Sequence, residues 1–288
     1  MKLIDPSAEY IPQGYTLDEI YEHIERCART CYKSEGHKGE KFKFVNGLIK
    51  RGHTSMLEHG TIYLTLTSPQ CPTYILHKLL NNSYSKYSYE LVNIEGRSRD
   101  RYYITTNLRV LLENFPMDYL EIIGKYGGPP TEKHPKRFSV KVICDRAVAN
   151  EIVRHRVFSF AQESTRYCNY SKDKFEHQIT FIHPNWQMVE TAIYNGVDTF
   201  DGDYFKHALR ESELYYFKLI DLGWKPEQAR QVLPLSLKTE IVMTGFQEDW
   251  EHFFDLRLRG TTGTPHPNML KVAELINTEL VTKCNINL

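Results

Sequence analysis

The chain has 288 residues, with 36 Lys and Arg against 36 Asp and Glu, so its formal net charge is zero. Proteins that bind nucleic-acid backbone usually carry a basic excess, because neutralising phosphates supplies most of their non-specific affinity. The charge balance therefore argues against nucleic acid as a partner. The length suffices for one large core or two small domains, and the charged fraction of 25% is that of an ordinary globular protein.

The N-terminal segment MKLIDPSAEY is interrupted by an acidic residue and a proline, and no apolar run approaches the roughly 18 residues that a membrane span needs. We therefore expect a cytoplasmic protein with no membrane partner. The six cysteines form no CxxC pair, and a chain of this length does not depend on disulfides. Cys27 and Cys31 share one helical face with Ile20 and Ile24, which predicts buried, reduced thiols rather than a metal site.

Capping and periodicity predict two helices near the N-terminus. Thr16 followed three residues later by Glu19 is a capping-box pattern, and apolar residues then recur at helical spacing as far as Cys31. A second helix is predicted over about 41–51, with Gly52 as the glycine that follows its last turn.

Residues 53–137 differ from the preceding helices in composition and pattern. HTSMLEHG, residues 53–60, is expected to be a loop, and TIYLTLT, residues 61–67, alternates like a strand. Residues 67–137 then hold a tyrosine-rich segment, a short predicted helix at 107–115 and several turn-rich stretches. We expect this region to be an inserted subdomain within a single domain that covers residues 1–288.

The C-terminal half is predicted to be mainly helical, with short strands. SVKVIC, residues 139–144, has strand character, DRAVANEIVRHR, residues 145–156, is predicted to be a helix, and LKTEIVMTG, residues 237–245, fits either. Further helices are predicted over about 203–223, 226–233, 247–259 and 268–283. Without a regular βαβ alternation, these elements predict an α+β fold, with a central, largely antiparallel sheet flanked by helices.

The stretch RHRVFSFAQESTRY, residues 154–167, concentrates groups that bind anions. Residues 154–156 cannot all face one partner from the middle of a helix, because successive side chains point about 100° apart; they can surround a ligand if the helix ends there. Gln162, Ser164 and Arg166 follow on extended or loop backbone, with alternate side chains on one side. The pattern suits a phosphate, although a basic helix end with polar surface residues accounts equally well for the composition.

The order of the residues is more specific than their composition. The RHR triplet at 154–156, a spacer of seven residues, Ser164 and then Arg166 resemble the signature of the flavin-dependent thymidylate synthases. Segments that also resemble that family in order are GHTSMLEH (52–59), DRAVANEIVRHR (145–156), EQARQVLPLSLKTE (227–240) and FFDLR (253–257). The likeness covers roughly residues 16–66 and 138–275, so that 67–137 is expected to be an insertion relative to compact members.

The resemblance implies a reaction and its partners. Members of that family convert dUMP to dTMP, with methylenetetrahydrofolate as carbon donor, NADPH as reductant and FAD as hydride carrier, and they are homotetramers with active sites shared between subunits. By position, the resemblance implies FAD contacts from Ser55, Arg154, His155, Arg156, Gln162, Phe246, Gln247, Glu248 and His252. It implies dUMP contacts from Glu151, Ile152, Val153, Arg154, Gln162, Glu163, Ser164, Thr165, Arg166, Arg230 and Arg257.

The resemblance further implies that Arg257 is catalytic. It would lie against the uracil edge and favour ionisation at N3, which stabilises the anionic ring electrostatically. No covalent nucleophile of the enzyme is then required, and Ser164 is expected to bind phosphate, since no Asp–His pair near it is evident. The chain departs from the family at four positions: Ser55 stands in place of Thr, many members have Gln at Glu151, relatives usually have Asn at Phe246, and some carry Asn at His252.

Two other functions and a metal site fit the sequence less well. A phosphate- or RNA-binding module would use the arginine cluster, with stacking groups at Tyr84, Tyr87, Tyr89, Tyr102 and Tyr103; the zero net charge disfavours it. A cysteine-type thymidylate synthase needs a nucleophilic Cys in a Pro-Cys-His context, which is absent. The spacing of His53, Glu58 and His59 does not match the helical zinc pattern, so no metal site is expected.

Overall fold

The computed structural model of the protein describes residues 1–32, 41–186, 192–194, 197–199 and 201–286. Its helices, in chain order, are α1 (Leu17–Tyr32), α2 (Lys41–Lys50), α3 (Thr73–Leu80), α4 (Leu108–Asn114), α5 (Met117–Gly124), α6 (Arg146–Ile152), α7 (Asp201–Asp221), α8 (Pro226–Ala229), α9 (Gln247–Arg257) and α10 (Pro267–Cys284). Its strands are β1 (Lys2–Ile4), β2 (Ser7–Tyr10), β3 (Thr61–Thr67), β4 (Lys86–Ile94), β5 (Arg97–Asn107), β6 (Arg137–Asp145), β7 (Ser159–Gln162), β8 (Thr180–Ile182), β9 (Ala192–Tyr194), β10 (Val197–Thr199) and β11 (Lys238–Phe246).

A four-stranded sheet in the order β2-β6-β11-β7 organises the part of the molecule that carries the signature. All its pairings are antiparallel, with Ile241 opposite Val142 on one side and Gln162 on the other. The segment LKTEIVMTG, which fitted a strand or a helix, is therefore the strand β11. Eight of its nine residues are buried, so both faces are covered and the alternation that marks a half-exposed strand is missing.

Helices cover both faces of this sheet. Ile241 and Met243 of β11 point into a core that includes Trp250 and Phe254 of α9 and also takes residues from α6 and α10. Val242, between them, points to the opposite face, where Cys27 of α1 is buried beside it. The expected α+β fold, with antiparallel sheets flanked by helices, is confirmed. Cys27 is a free, buried thiol whose pKa burial raises to about 12.

A second antiparallel sheet, in the order β3-β5-β4, packs with helices α3 to α5 around its own core. Leu66, Ile75, Ile104 and Leu111 are buried there. The sheet takes in β3, which lies almost wholly before residue 67, so its boundary does not coincide with the expected one. That residues 67–137 are an insertion relative to other members of a family stays a prediction.

The capping box and the helix-ending glycine near the N-terminus are confirmed, but the prediction of a loop over residues 53–60 was wrong. Glu19 accepts a hydrogen bond from the Thr16 backbone N–H at 3.0 Å, while its own N–H donates to Thr16 Oγ1 at 3.3 Å. Gly52 ends the second helix with a φ of +70°, which glycine adopts without strain. Residues Thr54–His59, expected as a loop, form a 3-10 helix whose last three residues are buried. A turn this short leaves no periodic pattern in a sequence.

Two predicted helices are shorter in the structure. The helix expected over 145–156 ends at Ile152, and the chain then turns, with the Phe158 N–H donating to the His155 carbonyl at 3.1 Å, before β7 begins. The helix expected over 226–233 ends after one turn and continues as the 3-10 helix Arg230–Val232. As a result, Arg154, Arg156 and Arg230 lie beyond the ends of the α-helices. None of the helices within the described residues is long and apolar enough to cross a bilayer.

Candidate active site

The C-terminal ends of α6 and α9 bring three polar side chains together, here named the Arg257 cluster: Glu151, His155 and Arg257. The Arg257 Nε donates to His155 Nε2 at 3.0 Å, and Nη1 donates to Glu151 Oε2 at 2.8 Å. The helix α6 ends just before the RHR triplet, so His155 turns back toward α9 instead of following the helix surface. More than 100 residues separate Arg257 from its two partners, and only the fold joins them.

His155 is held as a neutral acceptor. Burial lowers its pKa to about 4, with further contributions from the charges of Arg257 and His252. At neutral pH its Nε2 therefore carries a lone pair that accepts the Arg257 N–H, and the ring proton is on Nδ1. The Phe253 ring packs edge-on against the imidazole at 4.9 Å between centroids, which restricts its orientation.

The two arginines of the RHR triplet point away from this cluster. Arg154 and Arg156 are exposed, and no hydrogen bond or ion pair between described residues involves either guanidinium. Val153 beside them is also exposed, while the Ile152 side chain is wholly buried in the core under the sheet. The triplet thus presents two cations to solvent and one neutral imidazole to the interior.

A second group of predicted residues surrounds a cavity of about 310 Å³, here named the Arg230 cavity. Arg146, Thr165, Arg230 and Gln231 line it, together with four apolar residues between Leu233 and Leu237. The Arg230 Nη1 donates to Thr165 Oγ1 at 2.9 Å. Arg146 was not among the predicted residues. No local pattern in the sequence pointed to it, because its place beside the Arg230 loop comes from a tertiary contact: its backbone N–H donates to the carbonyls of Leu235 at 2.9 Å and Leu237 at 3.1 Å.

The signature turn between these groups keeps the predicted alternation. Glu163 and Thr165 are buried, whereas Gln162 and Ser164 are half-buried and Arg166 is exposed. From Ser164 the backbone is a turn rather than a strand, because the Ser164 carbonyl accepts from the backbone N–H groups of Tyr167 and Cys168, both at 3.1 Å. Ser164 Oγ accepts the Arg166 backbone N–H at 3.3 Å, so its hydroxyl supports the turn.

The carboxylate of Glu163 is engaged inside the protein. Lys238 Nζ lies 2.9 Å from Glu163 and 2.7 Å from Glu240, and Lys141 lies 3.3 Å from Glu240. Burial by itself lowers the pKa of Lys238, but the two carboxylates outweigh burial and raise that pKa above its ordinary value. This buried network holds the start of β11 against the signature turn.

The residues expected to contact FAD from the start of α9 have mixed surroundings. The Phe246 ring is buried between two cations, with Arg137 Cζ at 5.6 Å and Lys86 Nζ at 5.0 Å from its centroid. Glu248 pairs with Lys86 at 2.8 Å, and Gln247 donates through its side chain to Glu251 at 3.0 Å. Ser55 and His252 are exposed, and His252 lies close enough to the Arg257 cluster to contribute to the lowered pKa of His155.

The Arg257 cluster and the Arg230 cavity remain separate in one chain. Within the described part of the protein, no hydrogen bond or ion pair joins a member of one to a member of the other. Each group pairs a residue of the signature region with an arginine from farther along the chain.

Comparison with protein families settles the relationship. Residues 120–284 match the model of a family described as "Thymidylate synthase complementing protein", which is more than half of the chain. The chain belongs to the thymidylate synthase complementing protein family. The resemblance read from the RHR signature, that of a flavin-dependent thymidylate synthase, is confirmed by this membership and by the relatives of the family.

Curated relatives agree with the family assignment over part of their length. A flavin-dependent thymidylate synthase of Pyrococcus furiosus is 30% identical over 155 residues, which cover 54% of this chain and 59% of that protein. A probable flavin-dependent thymidylate synthase of Paramecium bursaria Chlorella virus 1 is 32% identical over 146 residues, 48% of this chain and 64% of that protein. The chain thus matches somewhat under two thirds of the length of these relatives.

A solved structure resembles the chain weakly over its whole length. A UMP/dUMP methylase PolB from Streptomyces cacaoi, bound with 5-Br dUMP, superposes with a TM-score of 0.45 at 15% identity, covering 98% of this chain and 93% of that one. A similarity at this level does not bear on the function.

Proposed function

We propose that this chain is a flavin-dependent thymidylate synthase, which converts dUMP to dTMP by reductive methylation. Methylenetetrahydrofolate is the carbon donor, NADPH the reductant and FAD the hydride carrier. The observation that carries the proposal is the Arg257 cluster, in which the signature residues Glu151 and His155 hold a downstream arginine at 2.8 and 3.0 Å. The family membership makes this the expected chemistry of such a cluster.

The side chains of the RHR triplet fit a flavin dinucleotide. Arg154 and Arg156 are exposed cations without a partner among the described residues, and guanidinium groups bind the oxygens of a pyrophosphate well. His155 is buried and neutral, so it adds no third positive charge beside the two arginines. When bound, the flavin supplies the hydride that reduces the transferred one-carbon unit.

Arg257 activates the pyrimidine in this proposal. Carbon C5 of uracil must become nucleophilic, and the negative charge that develops on the ring is stabilised by a cation beside N3 and O4. The Arg257 guanidinium is half-buried and held at two of its nitrogens, so it needs little reorganisation as charge develops. No covalent adduct with a cysteine is required.

The Arg230 cavity and the signature turn bind the nucleotide phosphate. Ser164, Arg166 and Arg230 offer a hydroxyl and two guanidinium groups of the kind that bind a phosphate monoester. Ser164 is a binding residue and not a nucleophile, since its Oγ accepts a backbone N–H and no described His or carboxylate hydrogen-bonds to it. The protein is proposed to be a homotetramer, in which one subunit supplies the Arg257 cluster and another the Arg230 cavity of each site.

Two measurements on the purified chain test the proposal. The protein should be yellow, with the visible absorption of oxidised flavin, and should release tritium from C5-labelled dUMP only when NADPH and methylenetetrahydrofolate are present. A colourless protein that does not take up FAD overturns the proposal. Bound flavin without tritium release or dTMP formation identifies a flavoprotein of another kind.

A further inference from the structure

Lys86, the first residue of β4, reaches from the second sheet to the start of α9. Its Nζ donates to Glu248 Oε2 at 2.8 Å and to Asp249 Oδ1 at 3.2 Å, and it lies 5.0 Å from the centroid of the Phe246 ring. Phe246 and Glu248 are two of the residues expected to contact FAD. A side chain of the second sheet therefore touches the segment of α9 that is expected to meet the cofactor.

A cavity of about 400 Å³, here named the Lys86 cavity, lies at this contact. Its lining combines the three expected flavin contacts at the start of α9 with the first three residues of β4: Phe246, Gln247 and Glu248, and Lys86, Tyr87 and Ser88. Residues 132–136, in the loop before β6, and Glu251 complete the lining. The second sheet thus forms part of the surroundings of the expected flavin contacts.

Glu248 places a carboxylate where an anionic cofactor is expected. Its side chain is 76% exposed, and FAD carries a negatively charged diphosphate. Because like charges that face each other oppose binding, an unpaired carboxylate at this position would weaken the affinity for FAD. Among the described residues, Lys86 is the cation that forms an ion pair with Glu248.

Lys86 is held in place and remains charged beside Glu248. The largely buried carboxylate of Asp249 accepts the Phe246 backbone N–H at 2.9 Å through Oδ2, while its Oδ1 accepts from Lys86. Burial by itself lowers the pKa of Lys86, but the contacts with Glu248 and Asp249 outweigh burial and raise that pKa above its ordinary value. The positive charge is therefore present at neutral pH and fixed next to the exposed carboxylate.

A second cation makes a similar contact at the other segment expected to meet FAD. Arg109, in the helix α4 that packs with the second sheet, donates through Nη1 to the buried carboxylate of Glu58. Glu58 belongs to the 3-10 helix Thr54–His59, which also contains Ser55. Both segments thus have a carboxylate that is paired with a cation from the region between β3 and β6.

We propose that Lys86 is a positioning residue of the cofactor site, which holds the Glu248 carboxylate and cancels its charge so that FAD can bind beside it. Lys86 acts through Glu248 and not by contact with FAD. The second sheet is thereby required for cofactor affinity, although it lies outside the RHR signature. That the anionic cofactor is FAD rests on the proposed function.

A cycle of variants tests the cancellation of charge, with the dissociation constant of FAD measured by quenching of flavin fluorescence. Lys86→Met leaves Glu248 unpaired and should raise that constant about 10-fold at low ionic strength. Glu248→Gln should bind FAD at least as tightly as wild type. The double variant Lys86→Met/Glu248→Gln should recover most of the lost affinity. The defect of Lys86→Met should also shrink in about 0.5 M salt, which screens exposed charges.

Two further variants separate the charge of Lys86 from its packing. Lys86→Arg keeps the charge and should bind FAD like wild type. The matched control is Lys78→Met, since Lys78 also lies over an aromatic ring, 5.1 Å from the Tyr74 centroid, but lies on α3 and outside the Lys86 cavity; it should leave the affinity for FAD unchanged. Thermal unfolding followed by circular dichroism establishes that each variant is folded.

The outcome of the cycle decides the role of Lys86. Wild-type affinity in Lys86→Met overturns the proposal. A double variant as weak as Lys86→Met overturns it as well, because a structural role or a direct contact with FAD would not be rescued by removing the charge of Glu248.

The inference and the proposed function fail in different ways. If wild-type protein binds FAD and releases tritium from dUMP, but Lys86→Met binds FAD equally tightly, the inference is overturned and the function stands. If FAD binding depends on Lys86 and Glu248 as expected, yet wild-type protein releases no tritium, the inference stands and the proposed reaction is wrong.

Discussion

At the scale of single residues, the guanidinium of Arg257 is held by one neutral and one charged partner. The neutral imidazole of His155 takes Nε, and the carboxylate of Glu151 takes Nη1. The first contact orients the group without altering its charge, whereas the second offsets part of the positive potential. Their effects on turnover can therefore be separated by mutation.

Arg257→Ala removes the proposed activating cation. We expect kcat to fall about 10²- to 10³-fold, the usual effect of deleting one electrostatic contact to a developing anion, with flavin binding intact. The measurement is tritium release from dUMP together with the flavin absorbance of the same sample. Arg257→Lys, which keeps a charge but cannot make both contacts, should retain part of the activity. Unchanged turnover in Arg257→Ala would remove Arg257 from the chemistry.

Glu151→Gln keeps the oxygen that accepts from Arg257 and removes the negative charge. The potential at the pyrimidine then becomes more positive, so ionisation at N3 is favoured and the pH–rate profile should move to lower pH. Glu151→Ala, which also frees Arg257, should instead lower kcat. If Glu151→Gln and Glu151→Ala lower kcat equally, turnover needs the negative charge of Glu151. The view that this charge only offsets the positive potential of Arg257 would then be wrong.

At the scale of elements, close packing between β11 and the turn before β7 positions α9. Gly245 of β11 lies under the Phe158 ring, and a Cβ at that position would meet Phe158 Cε1 at 2.5 Å. Phe158 packs edge-on against Trp250 at 4.6 Å, and Trp250 is on the helix that ends at Arg257. A methyl group at position 245 would therefore displace the Phe158 ring, and through Trp250 it would shift the helix that carries the proposed catalytic residue.

Gly245→Ala should lower the free energy of unfolding by about 1–3 kcal/mol, the usual cost of overpacking a core. Urea unfolding followed by circular dichroism measures it. The control is Gly47→Ala in α2, where the new Cβ meets nothing closer than the end of Arg51 at 3.6 Å; it should gain about 0.5–1 kcal/mol from helix propensity. Equal stability of the two variants would contradict the packing explanation.

At the scale of the whole molecule, a buried chain of neutral polar groups links the sheet to the N-terminal helices. His59 Nδ1 hydrogen-bonds to Thr244 Oγ1 at 2.7 Å, Thr244 to Ser139 at 2.7 Å, and Ser139 to His23 Nε2 at 3.0 Å. Burial is the main cause that lowers the pKa of His23 to about 4 and that of His59 to about 3. Both histidines are neutral in the folded protein at neutral pH.

Acidification should therefore destabilise the fold. Both histidines have folded pKa values below the unfolded value near 6.5, so the unfolded chain binds protons first, and stability present above pH 6.5 is lost as the pH falls. Between pH 7.5 and 5 each should cost about 2 kcal/mol, measured by urea unfolding across that range. His23→Asn should flatten the dependence relative to His177→Asn, which changes an exposed histidine. A free energy of unfolding that is constant from pH 7.5 to 5 would contradict this assignment.

The separation of the Arg257 cluster from the Arg230 cavity makes a prediction about assembly. If each site takes one group from each of two subunits, inactive Arg257→Ala and Arg230→Ala proteins should regain activity when their subunits are exchanged. Roughly a quarter of the sites then receive both intact halves, as random pairing in a symmetric oligomer requires. Exchange of Arg257→Ala with Arg257→Lys is the control and should give no such recovery. Mixed tetramers without recovered activity would place both halves in one subunit.

Much of this fold follows from local signals, and the exceptions have physical causes. The capping box at Thr16 and the glycine at position 52 act as predicted because each needs only neighbouring residues. The sequence did not predict that α6 ends at Ile152, because the pairing of β7 with β11 decides where the helix stops. Nor did it predict the 3-10 helix before Gly60, because burial of that segment decides its conformation. The strand β11 was undecided because it is covered on both faces.

The residue order alone was enough to identify the family and to name Arg154–Arg156, Ser164, Arg230 and Arg257 as one set, since spacing within motifs is a property of the chain. It did not show which of them meet. Folding joined His155 to Arg257 and placed Arg230 in a separate cavity with Arg146, while Arg154 and Arg156 stay exposed. Burial also made His155 a neutral acceptor. Contacts between residues far apart in the chain depend on how the strands pair, and the charge of each group depends on how deeply it is buried. Local sequence patterns determine neither.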